Sequence, residues 1–303
     1  MRNDLASKLL AVTGTIDRVH TEHITLNAPF IDVAARFADN PGTVVLMSGG
    51  DLDCSRYHIL GTLPWLTVTG FKNDVELKLP ANTYQLQADP FEVLREVCKA
   101  YHVTDAEFPA PLTCGMIGYL GYDLKNHIET LPRTSINDLG LPDLLMYAPS
   151  LLLIYDKHDD TARLLAPCFS TQRPSDIEDL INAFKRRLAL PMDPTQHFKG
   201  DNHRFKSNFT KAAYMTAVDQ IKAYITAGHV YQVNLSQRFQ MGFQGDGYAL
   251  FKMLYNLNPA PFYAYVNAGD HQIVSTSPER FLKRRGKQVE TRPIKGTRPR
   301  GQT

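Results

Sequence analysis

The chain has 303 residues, 43% hydrophobic and 21% charged, with a formal net charge of +2 at neutral pH. That is apolar material for one large or two ordinary domains, and the charge is too balanced to argue for a nucleic acid or membrane partner. Cys54, Cys98, Cys114 and Cys168 form no CxxC pair, which argues against a disulfide framework or a zinc site.

The first residues, MRNDLASKLLAVTG, carry Asp4 and lack the long apolar core of a signal peptide. No apolar run approaches the roughly 18 residues that span a bilayer, so a cytoplasmic location is expected. Residues 43–47 predict a short apolar strand. Residues 65–69 and 75–79 predict paired strands around a turn near Asn73 and Asp74. Asp89 and Pro90 open a helix, as N-cap and first helical residue, and Val93, Leu94 and Val97 keep helical spacing. Residues 150–155 and 162–166 flank a polar run and predict a hairpin. Residues 174–188 predict an amphipathic helix with Ile177, Leu180, Ile181, Phe184 and Leu188 on one side. Gly115, Gly118 and Gly121 do not have dinucleotide-binding spacing and are expected to let neighbouring elements approach closely.

Residues 191–208 are polar, rich in His, Asp and Pro, and predict a linker between a region 1–190 and a region 209–303. Thr210 caps the next helix, whose apolar stripe is Tyr214, Ala217, Val218, Ile221 and Ile225, and Gly228 stops it. Strands are predicted at 230–240, 262–266, 272–276, 280–283 and 288–291, with a helix at 248–257 and a turn at Arg285 and Gly286. The class is α+β, with mainly antiparallel strands in the second half.

Four segments then occur in order: GHVYQVNLSQRF at 228–239, NPAPFYA at 258–264, SPERF at 277–281 and PIKGT at 293–297. Each is common alone. Together, at this spacing, they resemble the start of the chorismate-binding domain shared by anthranilate, aminodeoxychorismate, isochorismate and salicylate synthases. The first half agrees: LMSGGDLDCSRYHIL at 46–60 and CGMIGYLGYDLKNHIETLP at 114–132, followed by Leu141, Pro142 and Asp143, resemble the N-terminal region of the same synthetases. The resemblance implies two largely antiparallel sheets packed as a sandwich with helices outside. It also implies a chain that stops before the family's later segments, which carry its metal-binding glutamates. Magnesium is the implied cofactor, with no ligand assignable here, and the activity of this chain alone is uncertain.

Lys295 selects a branch. Anthranilate synthases typically carry alanine at that position of the last motif, whereas the aminodeoxychorismate branch carries a lysine that attacks the chorismate ring. An amine adding at C2 expels the C4 hydroxyl through the diene, and ammonia entering at C4 then expels the lysine. The attacking amine must be neutral, although free lysine titrates at about 10.4; burial and nearby cations such as Arg292 and Arg298 disfavour the ammonium form. Glu279 matches the family's acid–base glutamate near the leaving hydroxyl. The resemblance also implies a tryptophan pocket, with Ser48, Cys54, Ser55, Arg56 and Tyr57 on one side and Pro261, Phe262 and Tyr263 on the other. The expected function is conversion of chorismate to 4-amino-4-deoxychorismate, on the route to 4-aminobenzoate and folate, with a glutamine amidotransferase supplying ammonia. The alternatives are anthranilate formation, or a non-catalytic fragment that binds tryptophan or an amidotransferase.

Overall fold

The computed structural model describes residues 2–103, 112–132, 136–191, 197–201, 205–296, 299 and 301, with residues 2–4 as backbone alone. The first elements are α1 (Arg2–Thr13), β1 (Ile16–Ile24), α2 (Phe30–Ala35), β2 (Val44–Met47), β3 (Tyr57–Phe71), β4 (Asp74–Lys78) and β5 (Thr83–Gln87). There follow α3 (Pro90–Ala100), β6 (Ile117–Leu120), a 3₁₀ turn (Tyr122–His127), β7 (Leu144–Asp156), β8 (Thr161–Phe169) and α4 (Pro174–Leu188). The remainder comprises β9 (Phe198–Gly200), β10 (Lys206–Ser207), α5 (Lys211–Thr226), β11 (Phe239–Gln240), β12 (Phe243–Gly245), α6 (Gly247–Leu257), β13 (Phe262–Asn267), β14 (Gln272–Ser277), β15 (Arg280–Arg285) and β16 (Gln288–Arg292).

The fold is α+β with antiparallel sheets, as expected. Ten strands form one continuous sheet in the order β1-β8-β7-β3-β2-β13-β14, with β4 and β5 extending from β3 and β6 pairing with β7. The long strands β3 and β7 produce the layering. The first part of β3 pairs with β2 and its second part with β4 on the same edge. Likewise β7 pairs first with β6 and then with β8. The register between β3 and β7 shifts between Pro64 and Leu66, next to Leu63, whose φ is 54°. A bulge of this kind lets a strand bend from one layer into the next.

The two halves meet over an apolar core. Ile117, Leu145 and Tyr147 from one half pack with Val19, Val44, Leu152, Leu165 and Val266 from the other. A Cβ on Gly61 would lie 3.0 Å from Ile117 Cδ1 and 2.7 Å from Pro149 Cγ, so glycine permits this approach. A Cβ on Gly118 would come within 2.0 Å of the Leu145 carbonyl oxygen, and one on Gly121 within 3.0 Å of that of Asp143. The expected close-approach role therefore holds at both. The outer face of the β3–β4 half is covered by α1 and α3, through Leu9, Val93, Val97 and Tyr101 against Leu66, Val68, Val75 and Leu77. The Asp89 carboxylate caps α3 by accepting from the Phe91 and Glu92 N–H groups. On α4, Ile177, Ile181 and Phe184 are buried, as its periodicity requires.

The chain divides into two compact units, Met1–Met192 with Phe251–Thr303, and Asp193–Leu250. Residues 251–303 thus join the first unit instead of forming part of a separate region 209–303, because β13 pairs with β2 inside the ten-stranded sheet. The expected linker 191–208 lies partly outside the described residues. The second unit holds α5 and two short ribbons, β9 with β12 and β10 with β11. Thr210 caps α5 through the Ala213 N–H, and Gly228 ends it at φ 77°, both as expected. The predicted strand 230–240 is corrected: only Phe239–Gln240 is a strand, pairing with Lys206–Ser207. Residues 230–238 have an alternating pattern but no ladder partner, and alternation alone does not hold a strand.

Candidate active site

The hairpin β15–β16 places the two expected catalytic side chains together. Its register pairs Arg280 with Arg292, so Glu279 precedes one strand at the open end and Lys295 follows the other. Lys295 Nζ donates to Glu279 Oε2 at 3.1 Å, and the Ile294 N–H donates to Glu279 Oε1 at 3.2 Å. Glu279 is half-buried and Lys295 exposed. These donors, the Lys295 ammonium first, hold the Glu279 carboxyl below the usual carboxylate range.

Beside this pair runs a chain of alternating charges. Arg280 contacts the Glu290 carboxylate, Arg292 Nε donates to the same carboxylate at 2.5 Å, and Arg292 Nη1 donates to Asp53 at 2.5 Å. Both carboxyls are lowered, chiefly by Arg292. Arg292 was expected to disfavour an ammonium on Lys295. Its charge is instead met by two carboxylates, and Arg298 lies outside the described residues. Asp53 and Glu290 were not singled out in the sequence; their only signal was an acidic residue near each basic motif.

The two segments expected to flank a tryptophan are neighbours. Tyr263 pairs with Met47 across β2–β13, and the Gly49 N–H donates to the Ala260 carbonyl at 2.8 Å. A Cβ on Gly49 would lie 2.6 Å from that of Pro259. Several of the polar groups face one another. Buried Ser55 donates to the Gly49 carbonyl at 2.7 Å, and Lys157 Nζ donates to the Ser48 carbonyl at 2.9 Å. The Ser48 N–H donates at 3.1 Å to Nδ1 of His58, a buried imidazole whose pKa is lowered to about 4 by desolvation, then by Lys157. Arg56 grips Asp156 with two nitrogens, at 2.9 and 2.7 Å, reaches Asp159 at 2.9 Å, and lies 5.1 Å over the Tyr57 ring. Pro261 and Tyr263 are buried, the Tyr263 hydroxyl donating to the Asn258 carbonyl at 2.8 Å. Phe262 lies under the Arg280 guanidinium at 5.2 Å, and Cys54 is half-buried.

Among the described residues no group of three or more His, Cys, Asp or Glu side chains is placed to hold a metal ion. The described residues therefore do not fit a magnesium site. No helix among them is long and apolar enough to cross a membrane.

The described residues form an antiparallel α+β scaffold with a lysine and a glutamate paired beside a hairpin. The solved anthranilate synthase component I of Streptococcus pneumoniae TIGR4 shares this fold, with a TM-score of 0.67 at 22% identity over 79% of this chain and 54% of that one. The model of chorismate binding enzymes matches residues 58–303, and the chain belongs to that family. It is 36% identical over 214 residues to anthranilate synthase component 1 of Thermus thermophilus, covering 70% of this chain and 46% of the relative. It is 33% identical over 251 residues to aminodeoxychorismate synthase component 1 of Bacillus subtilis, covering 82% and 53%. The chain spans about half the length of these curated relatives.

Proposed function

We propose that this chain contributes the lysine and the acid–base glutamate of an aminodeoxychorismate synthase component 1, which converts chorismate and ammonia to 4-amino-4-deoxychorismate. The observation that carries the reading is the 3.1 Å contact between Lys295 and Glu279. One proton passed along it from Nζ to Oε2 leaves a neutral amine and a carboxylic acid, the two forms the reaction needs. The amine bonds to C2 of the ring, the diene shifts, and the C4 oxygen leaves as water with the proton from Glu279. Ammonia then bonds at C4, the diene shifts back, and the lysine amine departs. Desolvation of the pair by bound substrate opposes the charged forms and favours that proton transfer.

The relatives named component 1 support a glutamine amidotransferase partner as the ammonia source in the same proposal. L-Tryptophan is proposed as a ligand of the segments around Ser55 and Pro261. Magnesium is proposed as the cofactor of the reaction.

A second reading, direct anthranilate formation, is favoured by the 36% identity to a relative named anthranilate synthase component 1. The two readings separate by product. The chain is incubated with chorismate and an ammonium salt, and products and intact protein are weighed by mass spectrometry. The first reading expects a lysine adduct that Lys295→Ala lacks, together with 4-amino-4-deoxychorismate. Anthranilate without an adduct selects the second reading, and neither product nor adduct overturns both for this chain.

A further inference from the structure

We infer that Asp53 is a positioning residue for the Lys295–Glu279 pair. The inference rests on the proposed function for its meaning but on geometry for its content. The β15–β16 hairpin forms a sheet of its own. Its open end is tied internally by Arg280, Glu290 and Arg292, which link one strand to the other where Arg280 opposes Arg292. Asp53, in the loop between β2 and β3, extends this tie to a separate element by accepting from Arg292 Nη1 at 2.5 Å. Arg280 makes a further link through its stack on Phe262, the first residue of β13. Glu279 is the neighbour of Arg280 in sequence, and Lys295 lies three residues beyond Arg292. The ends of the hairpin that carry the pair are therefore those anchored by Asp53 and Phe262.

The Arg292 guanidinium is engaged by Asp53 and Glu290, while Glu279 has Lys295 and the Ile294 N–H as partners. Removing Asp53 leaves Arg292 with Glu290 alone and unties the hairpin from the loop between β2 and β3.

The test follows the pair itself in the 303-residue chain. Lys295 is labelled with an amine-reactive reagent at fixed pH and quantified by peptide mass spectrometry, while hydrogen exchange is followed at the Ile294 amide. Asp53→Asn is expected to raise Lys295 labelling and Ile294 exchange about two- to threefold, the scale set by an exposed ion pair. Asp53→Glu, which keeps the charge, is expected to return both towards wild type, and far-UV circular dichroism checks that each variant folds. Unchanged labelling and exchange in Asp53→Asn overturn the inference. So does failure of Asp53→Glu to restore them, since a general loosening of the loop would not discriminate the two variants. Chorismate turnover is measured separately, so a chain that lacks the lysine adduct defeats the proposed function and leaves the labelling result to stand by itself.

Discussion

Lys295 and Glu279 face each other across the open end of a two-stranded hairpin, amine to carboxylate at 3.1 Å, with the Ile294 N–H on the other carboxylate oxygen. Glu279→Gln keeps the shape but removes the titratable proton, so adduct formation on Lys295 should fall on the order of 10²–10⁴-fold. Single-turnover mass spectrometry with chorismate measures it. A drop below tenfold would assign the proton to another group.

The same carboxyl has a pH signature. Its partners lower its titration, so the contact is complete above the ordinary carboxylate range and is lost as pH falls through the lowered value. The amide resonance of Ile294 should therefore stay constant from neutral pH down to the ordinary glutamate range and move only below it. Movement between pH 6 and 7 would indicate a different partner.

His58 gives a stability signature of the same sign in a higher pH window. It is buried and neutral, titrating at about 4 instead of 6.5. In the unfolded chain it binds a proton first, so the stability it contributes is full above the unfolded value and declines as pH falls from 6.5 towards 4. The gap is equivalent to about 3 kcal/mol at full extent. Urea melts of wild type and His58→Asn should diverge across this window, the variant having the shallower dependence.

Gly118 has no room for a side chain, since a Cβ there would meet the Leu145 carbonyl oxygen at 2.0 Å. Gly118→Ala must push β6 away from β7 and should cost about 1–3 kcal/mol, as overpacking does. Chemical denaturation tests this directly. Gly286→Ala provides the contrast, because no atom lies within 4 Å of its Cβ, and only its positive φ of 59° opposes substitution.

Arg56 bears on the proposed L-tryptophan site. Its guanidinium is held by Asp156 and Asp159, so an amino-acid carboxylate must compete with them. Asp156→Asn should tighten L-tryptophan binding roughly tenfold by calorimetry, within the range of a charge-assisted hydrogen bond. Weaker or unchanged binding removes Arg56 as the carboxylate partner.

Much of this architecture was legible in the sequence because the signals were local. Asp89 before Pro90, the apolar spacing of Ile177, Ile181 and Phe184, and glycine at 286 each act within a few residues. Lys295 and Glu279 were each singled out through motif order, but not their contact with one another. What could not be read were contacts made by register between distant strands: that β13 lies against β2, that Asp53 reaches Arg292, and that Asp156 occupies Arg56. The overextended strand at 230–240 has the same cause, since Val230, Val233 and Leu235 alternate suitably but a strand also requires an edge to pair with.

The placement of β13 against β2 bears on how the chain assembles during synthesis. Val44–Val45–Leu46–Met47 has β3 on one side from early on, but its other edge waits for residues 263–266 to leave the ribosome. Until then an apolar strand edge stands open, and the closing contact is among the most distant in sequence, which slows folding. A nascent chain paused before residue 262 should accordingly be a better chaperone client, and more prone to edge-to-edge pairing, than one released after β14 has formed.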